Sequence, residues 1–321
     1  MRKKTKMWLI AATSLTLLGC IMAGGSMFMS DWNFSKLSTV KYETHEYVLE
    51  QGFENIRIVT NTADVTLLPS SDDNTSVVCY EQKNVNHCVT SDHQTLSIEV
   101  VDNRKWYEHI GINFSTPKIT VYLSQKAYAA LSITSNTGHV TIPGNFTFES
   151  IDISEHTGNV SCNASVSGKI KIRTTTGDIQ TENLSANHLD LSVSTGNISV
   201  SGVTCTENVE IRVSTGSANI NNVTCGNLIS EGNTGKISFK NVIAAEKFSV
   251  QRSTGDVSFV RCDAAEIFIT TDTGDVKGSL LSEKVFIIET DTGRINVPWT
   301  TSGGKCDIHT DTGDISIELD K

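Results

Sequence analysis

Read for its alternation of apolar and polar positions, the chain divides near residue 30. Residues 7–29, MWLIAATSLTLLGCIMAGGSMFM, carry no charge. As a helix they would rise roughly 34 Å, enough to cross a bilayer core, so a transmembrane signal anchor is expected there. Beyond it the pattern turns to period two. From residue 131 one phrase recurs ten times, from SNTGHV and EHTGNV through VSTGNI to TDTGDV, TDTGRI and TDTGDI. Its glycines are Gly138, Gly158, Gly177, Gly196, Gly216, Gly235, Gly255, Gly274, Gly293 and Gly313, always 19 or 20 residues apart.

Alignment on that glycine separates two faces. Two residues after it stand Val140, Ile179, Ile198, Ala218, Ile237 and their equivalents, and five before it Ile133, Ile172, Leu191, Ile211 and Ile308. A further apolar set lies seven after it, at Leu184, Val203, Val223, Val242, Cys262 and Leu281. The position just after the glycine is polar in most coils, as at His139, Asp178, Asn197, Lys236 and Arg294. Alternation of this kind gives strands with one buried face. Three short strands per period, with no helical spacing between them, predict an all-β parallel β-solenoid (β-helix) of about ten 19–20-residue coils. At about 4.8 Å per coil the repeats form a rod of roughly 48 Å. The Thr-Gly step is its corner, where glycine tolerates a positive φ.

The remaining segments follow from this frame. Residues 1–6 form a basic cytoplasmic stub, 30–44 a tether, 45–130 irregular β coils or an N-terminal cap, and 131–321 the solenoid repeats. NIRIVTNTADVTLLP (55–69) keeps the coil pattern with Ala63 in the glycine slot, and TSVVCYEQ, TLSIEVV and KITVYLS read as strands. NRKWYEHIGINF (103–114) is the densest aromatic stretch after the anchor. Trp106, Tyr107, His109 and Phe114 either plug the blunt end of the solenoid or offer a stacking platform to a partner.

Charge narrows the functional classes. The formal net charge is −10, and the four basic residues of MRKKTK precede the apolar span. Basic residues on that side orient the N-terminus inward, leaving residues 30–321 outside with about −14. Such a surface excludes nucleic-acid binding, which needs clustered Lys and Arg. Leu17-Leu18-Gly19-Cys20 resembles a lipobox, so a lipoprotein at Cys20 is the alternative to the anchor.

The anchor, the TNTADV and KWYEHIG segments and the serial TGD and TGN turns together resemble a bacterial putative-adhesin family, membrane-anchored β-strand-repeat proteins formally of unknown function. The resemblance covers residues 7 to 321. It implies a Gram-positive, membrane-anchored, cell-surface solenoid, and it supplies no catalytic residues to carry over.

Candidate chemistry is sparse. Asp272, Asp291 and Asp311 each open an Asp-Thr-Gly triplet, but aspartic-protease chemistry needs two facing carboxylates sharing a proton. Other coils hold Asn136, Thr175 or Ser194 in the same slot, so the triplet is a turn variant. With Asp275 and Asp314 these aspartates line one corner as an acidic ridge. It is either solvated and neutralised by Arg294, or a weak Ca²⁺ site. Cys162, Cys205, Cys225, Cys262 and Cys306 fall in inward columns and act as small hydrophobes. Disulfides between Cys205 and Cys225, or Cys79 and Cys88, stay open. The histidines are scattered and no CxxC occurs, which argues against zinc.

The functional expectation is a non-catalytic surface module, an adhesin or an envelope-binding or sensing protein. The alternative, a β-helix polysaccharide lyase or hydrolase, needs loops that wall a cleft, and the constant spacing supplies none. Its partner is an envelope or host-surface component of unknown identity. The final coil, KCDIHTDTGDISIELDK, is expected to leave its strand edge open for a partner or a second copy.

Overall fold

A computed structural model describes residues 3–29, 31–32, 40–49, 52–71, 74–106 and 115–320. Lys3–Met29 is one helix, long and apolar enough to cross a membrane, with side chains exposed almost throughout. Cys20 lies exposed on it.

The all-β remainder is a β-solenoid, as its periodicity predicts. One coil shows how the residues build it. Lys169–Thr176 turns Ile170, Ile172 and Thr174 inward, Gly177 makes the corner, and Ile179–Glu182 continues with Ile179 and Thr181 inward. A short third strand, Ser185–Ala186, closes the coil. Each strand pairs in parallel with its equivalent one period on, Ile172 with Leu191 and Ile179 with Ile198. Like side chains therefore stack into one continuous core running from Phe53 to Ile317.

Two corners recur. At the first, Gly235 has φ 125°. A β-carbon there would fall on the carbonyl oxygen of Gly216 in the coil below, so glycine is required both by dihedral and by space. Six residues after the corner glycine comes a second turn, held by Asn183, Gly202, Asn222, Asn241 and Arg261 with φ between 51° and 65°. Asparagine enters this left-handed region more readily than other side chains. Asn241 also donates to Asn222 one coil away (2.8 Å).

The residue after the corner glycine has a structural task. Its side chain accepts the backbone N–H of its counterpart in the adjoining coil, from Asp64 through His139, Asn159, Asp178 and Asn197 to Ser217 (2.7–3.1 Å). Asp256, Asp275 and Asp314 extend the ladder. Aspartate and asparagine recur after the glycine because both present an oxygen at that reach.

Three details depart from the column reading. An additional inward column lies three residues before the glycine and is mostly polar: Ser135, Glu155, Thr174, Arg252, Thr271 and Thr310 are all buried. Arg252 fills the room left by Gly232, its Nη1 donating to the Val213 carbonyl at 3.2 Å. Leu281 is exposed, and Leu280 takes the inward slot instead, because the register slips between Phe259 and Cys262.

At the N-terminal end, Asn55–Thr60 and Asp64–Pro69 form an extra coil, pairing Ile56 with Leu131 and Val65 with Val140. Thr95–Asp102 and Lys118–Leu123 add one more parallel layer. The direction then reverses. Thr75–Gln82 lies antiparallel on Lys118–Leu123, Tyr42–Leu49 on Thr75–Gln82, and Val85–Asp92 on Thr95–Asp102. Among the described residues strand pairing thus begins at Tyr42, within the segment read as a tether. Aromatic filling near this end comes from Phe53, Tyr128, Phe146 and Phe148, with ring centroids 5.7–6.5 Å apart in successive pairs.

At the other end the coils change order. Gly304–Thr312, from the last coil of the sequence, inserts between Glu266–Thr273 and Lys284–Thr292. Ile315–Leu319 likewise sits between Val276–Leu280 and Ile295–Asn296. The coil of Gly293, not that of Gly313, is therefore terminal in space. Two contacts favour the exchange. The Lys284 ammonium, buried, reaches Asp263 at 2.6 Å and pins the outlying strand to an earlier coil. Gly303 and Gly304 let the returning chain pass against the carbonyls of Glu283 and Ala265, where a β-carbon would clash.

Candidate functional site

The antiparallel cap brings together side chains far apart in sequence. On Thr75–Gln82 the inward positions include Cys79 and Glu81, both fully buried. His45 stands opposite Cys79 on the adjoining strand, and the next strand, Val85–Asp92, contributes His87. Glu81 is the hub. Its Oε2 accepts from the His87 backbone N–H and lies 2.7 Å from His87 Nδ1, while its Oε1 lies 2.8 Å from His45 Nδ1. The other imidazole nitrogen of His87 meets the Thr60 hydroxyl at 3.0 Å. The Tyr47 hydroxyl donates to the His87 carbonyl at 3.3 Å. Burial, reinforced by the Glu81 carboxylate, pushes the Cys79 thiol up to about 12 and also raises the Tyr47 phenol.

A pocket of about 290 Å³ opens beside this cluster, lined by Thr60, His87, Val100, Arg104, Ser115 and Thr137. Arg104 is held at its edge by a bidentate pair with Asp102, Nε and Nη2 at 2.9 and 2.5 Å. Trp106 follows, exposed. Tyr107, His109 and Phe114 lie outside the described residues, so the plug and platform alternatives rest on Trp106 alone here. Among the described residues the blunt end is covered by strands.

The acidic ridge has a different character from a set of free ligands. The Asp275 carboxylate accepts from Lys277 Nζ (2.6 Å) and from the Asp314 backbone N–H, and both hold its pKa below the usual carboxylate range. Asp314 is lowered in the same way by the Arg294 side chain and backbone. Coil exchange reorders the three outer carboxylates without parting them: Asp311 lies between Asp272 and Asp291 on successive coils, with His309 3.1 Å away. At this corner Lys277 pairs with Asp275 and Arg294 with Asp314.

The cysteines are free thiols, all eight of them. Cys162, Cys205, Cys225, Cys262 and Cys306 are buried in the core columns, and burial raises each to about 11 or 12. Cys79 faces the cap interior, whereas Cys88 is exposed.

The third feature is the open end. The last coil of the sequence is not the exposed one; it is covered on both sides. The outer edge of Lys284–Thr292 has no paired strand among the described residues. Phe286 and Ile288 are only partly buried there, and Ile287, Ile295 and Trp299 are 50%, 48% and 95% exposed.

Comparison with known proteins bears on the fold as a whole. A family model described as Toastrack DUF4097 matches residues 53–216 and 206–321. No curated protein matches the chain. Among solved structures, one described as a "putative lipid binding protein" from Parabacteroides distasonis is 15% identical, with a TM-score of 0.50 over 88% of this chain and 98% of its own. A "putative adhesin" from Bacteroides fragilis is 14% identical over 87% and 97%, at a TM-score of 0.45. Another from Parabacteroides merdae is 11% identical over 88% and 97%, at 0.46. The first shares the architecture, and at these identities likeness speaks to fold alone. Because the family model matches residues 53–321, most of the chain, the chain belongs to the Toastrack DUF4097 family.

Proposed function

We propose that this protein is a non-catalytic, membrane-tethered module of the cell surface whose working end is the open terminal coil. The observation that carries the reading is the unpaired edge of Lys284–Thr292, flanked by exposed Ile287, Ile295 and Trp299. Natural sheet edges are usually blunted by charge or covered. Here Val285-Phe286-Ile287-Ile288 is uncharged, and an extended strand of a partner chain can add to it by backbone pairing while its side chains cover the apolar rim. The helix Lys3–Met29 supplies the anchor at the opposite end of the chain, with its basic flank inside. The names of the similar structures, adhesins among them, agree with a binding role.

The test is site-specific photocrosslinking on intact cells. A photoreactive residue at Trp299 is expected to capture a partner, and one at Asn197, on the lateral face, to capture none. Adducts at Asn197 but not at Trp299 would overturn the assignment of the tip. A product of twice the chain's mass at Trp299 would replace the heterologous partner with a second copy.

A further inference from the structure

We propose that the cap holds a zinc ion, bound by Cys79, Glu81 and His87. The thiol sulfur of Cys79, a carboxylate oxygen of Glu81 and a ring nitrogen of His87 lie within 4.8 Å of one another, all three residues buried. A tetrahedral shell with bonds of about 2.0–2.3 Å needs ligand atoms roughly 3.3–3.8 Å apart. The three donors are thus within about 1 Å of closure. Water completes the four-coordinate shell, and His45 Nδ1, 2.8 Å from Glu81 Oε1, holds the carboxylate from outside it.

The surroundings match a metal site in their second layer. His87 turns Nδ1 toward the Glu81 carboxylate (2.7 Å) and Nε2 toward the Thr60 hydroxyl (3.0 Å). A ligating imidazole commonly places its remaining N–H on such an acceptor, which fixes the ring and its tautomer. The Glu81 carboxylate is steadied by the His87 backbone N–H (2.7 Å). Charge is consistent too. A divalent cation against one thiolate and one carboxylate leaves no net charge in a buried space, and the thiol proton leaves for solvent as the bond forms. A sulfur, nitrogen and oxygen set suits a borderline-soft ion such as Zn²⁺ better than Ca²⁺ or Mg²⁺. The pocket beside His87 gives access from solvent. This site lies at the far end of the solenoid from the open coil and does not depend on that proposal.

The experiment uses the full-length chain in detergent, stripped with a chelator and titrated with Co²⁺. One equivalent is expected to give a thiolate-to-cobalt charge-transfer band and the intense visible bands of a tetrahedral ion, both abolished by Zn²⁺. C79S is expected to lose the charge-transfer band, and C88S, at the exposed neighbouring thiol, to keep it. T60V preserves the side-chain shape and all three protein ligands. It is expected to keep the spectrum while weakening zinc affinity about 10- to 100-fold. That result holds even if C79S does not fold. A wild-type chain without the charge-transfer band, or a band lost in C88S and kept in C79S, would overturn the assignment.

Discussion

Replacing Ile198 with alanine tests the solenoid core at its centre. Ile198 is fully buried and stacks between Ile179 and Ala218, both equally buried. Three carbons are removed. At about 0.8 kcal/mol per buried methylene their transfer amounts to roughly 2.4 kcal/mol. If the stack does not collapse, a void of about 80 Å³ at about 24 cal/mol per Å³ adds up to roughly 2 kcal/mol. Ala218 is too small to fill the space, and hydrogen bonds on both sides of the strand hold the coils apart, so collapse is limited. The expected loss is about 3–4 kcal/mol. Asn197→Asp, one residue away and exposed, keeps the oxygen that accepts the Ser217 N–H and replaces the donor to Asp178. Its cost is expected to stay below about 1 kcal/mol. Urea unfolding followed by circular dichroism measures both. Equal midpoints for the two variants, or a loss under about 1 kcal/mol for Ile198→Ala, would refute the strand register on which the columns rest.

Other consequences are as direct. Gly235→Ala should lose at least about 3 kcal/mol in the same assay, because the corner is both conformationally closed to alanine and sterically filled; Gly202→Asn, at φ 65° where neighbouring coils carry asparagine, should cost less, about 1 kcal/mol, because only the Asn183 side-chain oxygen, 2.5 Å from a β-carbon there, has to turn aside. The lowered pKa values of Asp275 and Asp314 mean that their contribution is complete above the ordinary carboxylate pKa and is lost as pH falls through the folded values, below about pH 4. Asp314→Asn should flatten the fall of melting temperature in that range. Glu155 behaves oppositely: burial raises its pKa, so its penalty appears as pH rises above the unfolded value. Glu155→Gln should therefore raise the melting temperature at pH 7 and leave it unchanged near pH 3.

The two ends and the middle of the molecule differ in how much of them can be read from residues alone. Within the coils, Ile172, Leu191 and Ile211 repeat at one period because each strand pairs with its own equivalent. The contact that selects an isoleucine is with another residue of the same column, so periodicity carries it. The same holds for the corner glycines and the five cysteines buried in the core columns. The inward column of Thr174, Glu155 and Arg252 is harder to see, because hydroxyls, a carboxyl and a guanidinium do not mark a buried face. The slip from Leu281 to Leu280 is invisible until strands are paired.

The cap cluster escapes sequence reading for a different reason. His45, Cys79, Glu81 and His87 share no spacing motif; they meet because the chain reverses from parallel to antiparallel pairing, which sets His45 opposite Cys79. The order of the last coils is the clearest case. All ten coils offer the same columns to a neighbour, so the coils of Gly293 and Gly313 are nearly interchangeable as strand partners for that of Gly274. Backbone hydrogen bonds do not distinguish them. The Lys284–Asp263 pair and the glycine passage at Gly303 and Gly304 favour one order, and these contacts exist only once the coils are stacked. Repetition within the chain is thus enough to define a coil, whereas the identity of its neighbour at the open end is settled by tertiary packing.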